Sequence, residues 1–281
     1  MIVVIIPVFN EEKKIKDVIN SIRVYCDQII VINDGSTDQT KEILESLKGI
    51  TLVNHETNQG IGGATKTGIK KALEMGGEYI IKFDGDGQHM STDIPKFLNY
   101  LNDQNYDFVK GNRFQSSIEE MPLVKILGNF ISTTLQKVVT GNFRISDPNN
   151  GFIGFKSSIF EKIQFKYLRD DYFFENSFLM NLVVFKYKIA EVPIRTIYGD
   201  EKSSIPLVRG SLKLLPVFLK FLYTKNYLNA KHNLSIGSII FAIINILTIL
   251  RIINSNFIEL GTIFIFSCLY VLIEVINFLN D

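Results

Sequence analysis

Short apolar runs alternate with helix-period segments through the first part of this chain, and that order leaves few folds open. Ile2 to Ile6 ends at Pro7, Ile29 to Ile32 ends at Asn33, and Ile50 to Val53 and Glu78 to Phe83 follow. Between the first two, Ile15, Val18, Ile19 and Ile22 recur at the spacing of one helix face. Thr37 or Asp38 is placed to cap a helix from about Gln39 to Leu47, and a further helix runs from a glycine-rich turn to about Met75. A βαβαβαβ order predicts an α/β fold, with a mostly parallel sheet and helices on both faces. Ligands of such sheets gather at the carboxyl ends of the strands. The unusual loops of this half fall there: Pro7 to Glu12, Asn33 to Asp38 and Asp84 to Gln88.

The C-terminal part differs in kind. Ile236 to Leu250 and Leu260 to Ile273 carry no charge. Each is shorter than the roughly 20 residues that cross a bilayer. They reach that length if Arg251 snorkels and Glu259 and Glu274 sit at the interfaces. Two buried core helices are the alternative; a two-span transmembrane hairpin is the expectation, since neither run keeps a polar face. Lys225 and Lys231 place the preceding chain on the cytoplasmic side. From Leu207 to Leu228, Leu214, Leu215, Phe218, Phe221 and Leu222 interleave with Arg209, Lys213, Lys220 and Lys225, as in amphipathic helices on a membrane surface or an ordinary packed helix. The organisation expected is a catalytic domain over residues 1–205, juxtamembrane helices over 206–233 and a membrane anchor over 234–281. This makes an integral membrane protein with a cytoplasmic catalytic domain, its short spans better covered in a homo-oligomer.

With 30 basic and 29 acidic residues the chain offers no global polyanion surface, which argues against a nucleic-acid partner. Cys26 and Cys268 read as reduced bystanders.

The sharpest local signal is Phe83-Asp84-Gly85-Asp86-Gly87-Gln88-His89. Carboxylates separated by one glycine at a strand end can face one cleft, and their hard oxygens suit Mg2+ or Mn2+ bridging a diphosphate. A plain Asp-Gly turn accounts for the same residues. His89 reads as a loop residue, imidazole being a poorer ligand for such ions. In Asn33-Asp34-Gly35-Ser36-Thr37-Asp38 an acid can meet a ribose or base edge, or the stretch is a turn and helix cap. Asn58-Gln59-Gly60-Ile61-Gly62-Gly63-Ala64 opens a helix whose N–H groups could face a phosphate. It could equally be a tight turn for close packing.

Taken together with Ile6-Pro7-Val8-Phe9-Asn10-Glu11-Glu12, Gly111-Asn112-Arg113-Phe114, Asp147-Pro148-Asn149-Asn150-Gly151-Phe152 and Glu191-Val192-Pro193-Ile194, these motifs resemble the family 2 glycosyltransferases. The full series is similar to the dolichyl-phosphate mannose synthase and polyprenyl-phosphate glycosyltransferase branch, over roughly residues 2–205. The resemblance implies a GT-A, Rossmann-like fold and an inverting transfer. Pro7, Phe9, Glu11 and Asp34 would hold the nucleoside of a UDP- or GDP-sugar; Asp84, Asp86 and Gln88 would serve the metal and diphosphate, with Asp86 the foremost direct ligand; Arg113 would contact phosphate. One segment departs from the branch. Where its members carry an arginine-rich stretch, this chain reads Arg195-Thr196-Ile197-Tyr198-Gly199-Asp200-Glu201-Lys202, leaving Arg195 and Lys202 as the cations for phosphate. Asp147 and Glu175 stand as base or structural residues.

The acceptor has a physical side. A sugar hydroxyl needs a general base, whereas a phosphate monoester, with a second pKa of about 6, is already anionic. Undecaprenyl or dolichyl phosphate is the expected acceptor, another lipid or glycan the alternative. A processive polysaccharide synthase would carry a Gln-x-x-Arg-Trp motif, and this chain has no tryptophan. Sugar nucleotidyltransferases place an arginine-bearing, glycine-rich loop where Pro7 to Glu12 stand. An inactive scaffold retaining the fold would have no need of Asp84, Asp86, Gln88 and Arg113.

Overall fold

The computed structural model describes residues 1–114, 133 and 145–197. A seven-stranded sheet runs through them in the order β3-β2-β1-β4-β6-β5-β7. Its strands are β1 Ile2–Val8, β2 Gln28–Asn33, β3 Thr51–Asn54, β4 Tyr79–Lys82, β5 Phe108–Asn112, β6 Ile153–Lys156 and β7 Ile189–Pro193. Strand β1 pairs in parallel with both β2 and β4, and β2 with β3. Strand β6 runs antiparallel between β4 and β5, and β7 closes the edge in parallel with β5.

Side-chain alternation along β1 sets the layers. Val3 and Ile5 face a core shared with α3 (Ile61–Glu74) and α5 (Phe174–Val184), while Val4, Ile6 and Val8 face α1 (Ile15–Ile22), α2 (Thr40–Ser46) and α4 (Ile94–Asn102). The expected stripe of Ile15, Val18, Ile19 and Ile22 is buried on α1. Helix α2 begins one residue later than its sequence suggests, because the Asp38 carboxylate accepts the Thr40 N–H at 3.0 Å from just ahead of the helix. Helix α5 is enclosed on all sides. Glu175, Asn176, Ser177 and Asn181 are buried with Phe178 and Leu179, and Asn181 Nδ2 donates back to the Ser177 carbonyl at 2.8 Å.

Strand order reverses between β1 and β4, the switch point beside which ligands of open sheets bind. Among the described residues no helix is long and apolar enough to cross a membrane. The stretch from Leu207 to Leu228, both expected spans and Lys202 lie outside the described residues.

Candidate active site

The carboxyl ends of β1, β2, β4, β5 and β7 share one rim with the amino end of β6. Because β6 is antiparallel, it brings the segment Asp147 to Phe152 to that rim beside the loop after β4.

This loop is the centre of the site. Gln88 N–H donates to Asp86 Oδ1 at 2.9 Å, closing a turn through Gly87, whose φ of +71° an L side chain rarely adopts. Asp84 is held from two sides: Lys82 Nζ meets Oδ1 at 2.6 Å and His89 Nε2 lies 3.2 Å from Oδ2. Burial alone would raise the Asp84 carboxyl, but the Lys82 ammonium and His89 outweigh it and hold it well below the ordinary range. The His89 ring packs against Phe83 and Phe152. Its backbone bridges to Thr196, and Ile197 N–H donates to the Gln88 carbonyl at 2.9 Å. That bridge stitches the exposed Arg195 segment to the acidic loop.

Behind the loop lies a layer of buried charge whose two lysines, Lys82 and Lys110, sequence reasoning missed. Register aligns Lys82 of β4, Ile153 of β6, Lys110 of β5 and Glu191 of β7 in one row beneath α5. Lys82 pairs also with Glu175 at 3.1 Å, and Lys110 Nζ donates to the Asn150 carbonyl. Desolvation lowers the Lys110 ammonium to about 8, although Glu175 and Asp147 pull it upward. Arg113 clasps Asp147 with both arms of its fork, Nε to Oδ2 at 2.7 Å and Nη2 to Oδ1 at 2.8 Å. Burial would raise that carboxyl, and Arg113 lowers it below its usual value. Glu191 Oε1 accepts the Ser146 and Asp147 N–H groups, fixing the backbone beneath the pair. The sequence motifs mark Arg113, Asp147, Glu175 and Glu191, whereas Lys82 and Lys110 are visible there only as two lysines in apolar strand runs.

The loops expected to meet a nucleoside are interlocked. Asn10, at φ +58°, accepts the Thr37 N–H at 2.8 Å on Oδ1 and donates its own N–H to Ser36 Oγ at 3.0 Å. Glu11 N–H donates to Thr40 Oγ1 at 2.8 Å. Pro7 is buried at the end of β1, while Phe9 stays 45% exposed on the rim. Asp34 is placed differently from a ligand-facing acid. It is 3% exposed, and its carboxylate accepts the Gln59 and Gly60 N–H groups at 2.9 and 3.0 Å, with His55 Nδ1 2.7 Å away.

The glycine-rich turn is likewise occupied from within. Gly63 N–H donates to the Asp170 carbonyl at 3.0 Å, and a Cβ on Gly60 would lie 2.6 Å from that same oxygen. Its glycines therefore admit the backbone of residues 169–171, and the Gly60 and Gly63 N–H groups are engaged within the protein.

Asp84, Asp86 and Gln88 thus share one loop, with Arg113 and Arg195 on neighbouring strand ends. Among the described residues no three acidic, histidine or cysteine side chains converge as a metal cluster; Asp86 and Gln88, oxygen donors on one turn, would suit a hard divalent ion such as Mg2+ or Mn2+ that completes its shell with substrate phosphates and water.

Comparisons with known proteins bear on the family and the fold. The model of glycosyl transferase family 2 matches residues 3–164. The UDP-N-acetylglucosamine–dolichyl-phosphate N-acetylglucosaminyltransferase of Methanococcus voltae is 33% identical over 219 residues, which cover 71% of this chain and 87% of that one. The dolichyl-phosphate hexose transferase of Haloferax volcanii is 28% identical over 193 residues, covering 68% and 80%. Among solved structures, glucosyl-3-phosphoglycerate synthase from Mycobacterium tuberculosis, in complex with Mn2+, uridine diphosphate and phosphoglyceric acid, superposes with a TM-score of 0.63 at 19% identity, over 79% of this chain and 78% of that one. The architecture is therefore GT-A-like, and the chain belongs to glycosyl transferase family 2.

Proposed function

We propose that this protein transfers a sugar, with inversion, from a uridine- or guanosine-diphosphate sugar to a polyprenyl phosphate, undecaprenyl or dolichyl, at the cytoplasmic face of a membrane. The observation that carries the reading is the state of the two acids open to use as a base. Glu175 is paired with Lys82 and Asp147 is clasped by Arg113. A hydroxyl acceptor needs a free base within reach, whereas a lipid phosphate attacks as the anion it already is. The names of the Methanococcus and Haloferax relatives point to the same acceptor class.

In this reading the phosphate oxygen forms a bond to the anomeric carbon on the face opposite the departing nucleoside diphosphate. Phe9, with Pro7 and Glu11, lines the nucleoside pocket; Asp34 shapes it by holding the Gln59–Gly60 turn. Asp86 is the principal metal ligand, with Gln88 beside it and Asp84 behind. A bound Mg2+ or Mn2+ supplies Lewis-acid chemistry, offsetting negative charge on the leaving diphosphate. Arg195 and Lys202 would provide positive charge for the acceptor phosphate, while the Arg113 fork, paired with Asp147, would offer it only the edge left over from that pair.

The test is transfer from a panel of labelled nucleotide sugars into extractable lipid in the presence of polyprenyl phosphate, with Mg2+ or Mn2+ and then with chelator. Chelator-sensitive label in the organic phase supports the reading and names the donor. Donor hydrolysis with no labelled lipid would move the acceptor to another lipid or glycan.

A further inference from the structure

Lys82 occupies a strand position that faces the apolar layer under α5, with Ile5 and Ile153 as its cross-strand neighbours. It is 1% exposed. An ammonium has three donors, and three acceptors surround this one: Asp84 Oδ1 at 2.6 Å, Glu175 Oε1 at 3.1 Å and the Gly151 carbonyl at 3.1 Å. Burying a cation with its partners is costly, and an apolar residue of similar volume often does as well for stability. Gly151 shows how closely the group is built, since any Cβ there would collide with the Asp84 carboxylate and with Lys82 Nζ.

The arrangement separates two acids that lie two residues apart in sequence. Asp84 turns one oxygen to Lys82 and the other toward His89. Asp86 sits on the turn beyond, its Oδ1 accepting the local Gln88 N–H. We propose that Lys82, with Glu175 as its counter-ion, is a positioning residue that withholds Asp84 from the metal, so that the ion is met by Asp86 and the diphosphate. The inference rests on the metal-dependent reading above. It gives Glu175 the task of holding a cation rather than moving a proton.

The test uses the full chain and titrates Mn2+ at fixed uridine diphosphate, reading the thermal midpoint, with steady-state turnover measured in parallel. Lys82→Met removes a cation from beside the metal and frees a second carboxylate, and both changes strengthen binding. The half-saturating Mn2+ concentration is expected to fall about tenfold, the scale on which partners of metal ligands act, while kcat also falls. A merely structural defect would weaken Mn2+ binding as kcat fell. The double variant Lys82→Met/Glu175→Gln keeps the charge of the buried layer balanced and is expected to show the same tighter binding if the single variant folds poorly. Asp84→Asn provides an independent arm: its Mn2+ response should stay within about twofold of the original, while Asp86→Asn loses the response. Unchanged or weaker Mn2+ binding on loss of Lys82, or equal loss in Asp84→Asn and Asp86→Asn, overturns the inference and leaves the functional reading standing. No response of the original protein to Mn2+ with uridine or guanosine diphosphate overturns both.

Discussion

Lys110 shows how much a single side chain of this site is worth. It is fully buried, and burial holds its ammonium near 8 against an ordinary value of 10.5. Between those values the unfolded chain binds the extra proton, so stability rises with pH there. Below 8 the penalty is fully present, at about 3 kcal/mol. In Lys110→Met this pH dependence should be lost, so that denaturant titrations between pH 8 and 10.5 show a flatter rise of stability than in the original protein. At Asp86 the consequence is chemical. Asp86→Asn keeps the Oδ1 acceptor of the turn and should leave the fold intact, while turnover falls more than about a hundredfold. Glu175→Gln discriminates between roles. An amide still offers Lys82 an oxygen, so turnover should fall less than about tenfold, whereas loss of a general base costs about a hundredfold or more.

At the scale of elements, the first half of the site was open to sequence reading because its signals are local. The β-branched runs of β1 and β2, the stripe on α1 and the acidic turn after β4 each declare themselves within a few residues. The second half depends on pairing across the chain. Strand β6 is four residues, Ile153–Lys156, and only its antiparallel place between β4 and β5 brings Asp147 to Gly151 onto the rim. Helix α5 shows no apolar stripe, since its polar residues are buried along with the rest, and it therefore left no helical period to find. The glycine turn before α3 follows the second of its two sequence readings, close packing. Glycine marks close backbone approach whatever approaches, and here the visitor is residues 169–171. A methyl group on Gly62 would lie 2.7 Å from the Asp170 carbonyl carbon, so Gly62→Ala should cost about 1–3 kcal/mol and loosen the 169–171 segment from α3, with lowered stability and faster amide exchange at Gly63 as the readouts.

At the scale of the molecule, the sheet divides the work. The β1–β2 side carries interlocked loops, which the proposed function assigns to a nucleoside, and the β4–β6–β5 side carries the acid turn and the layer of paired charge behind it. Apolar runs made the parallel sheet legible, but polar residues at strand positions concealed the charged layer, because Lys82 and Lys110 look solvent-facing until α5 is laid over them. In the proposed account the C-terminal apolar segment delivers this rim to a lipid. Deleting the residues after Asn233 should then reduce transfer to a long-chain lipid phosphate more than donor hydrolysis, and equal losses would point to misfolding instead. The central claim is that the acceptor brings its own negative charge and needs no base from the protein. It is tested most directly by presenting the full-length enzyme with a polyprenyl phosphate and the matching polyprenol, a labelled donor and Mn2+. The account predicts label in the phosphate and none in the alcohol; transfer to the alcohol at a comparable rate would contradict it.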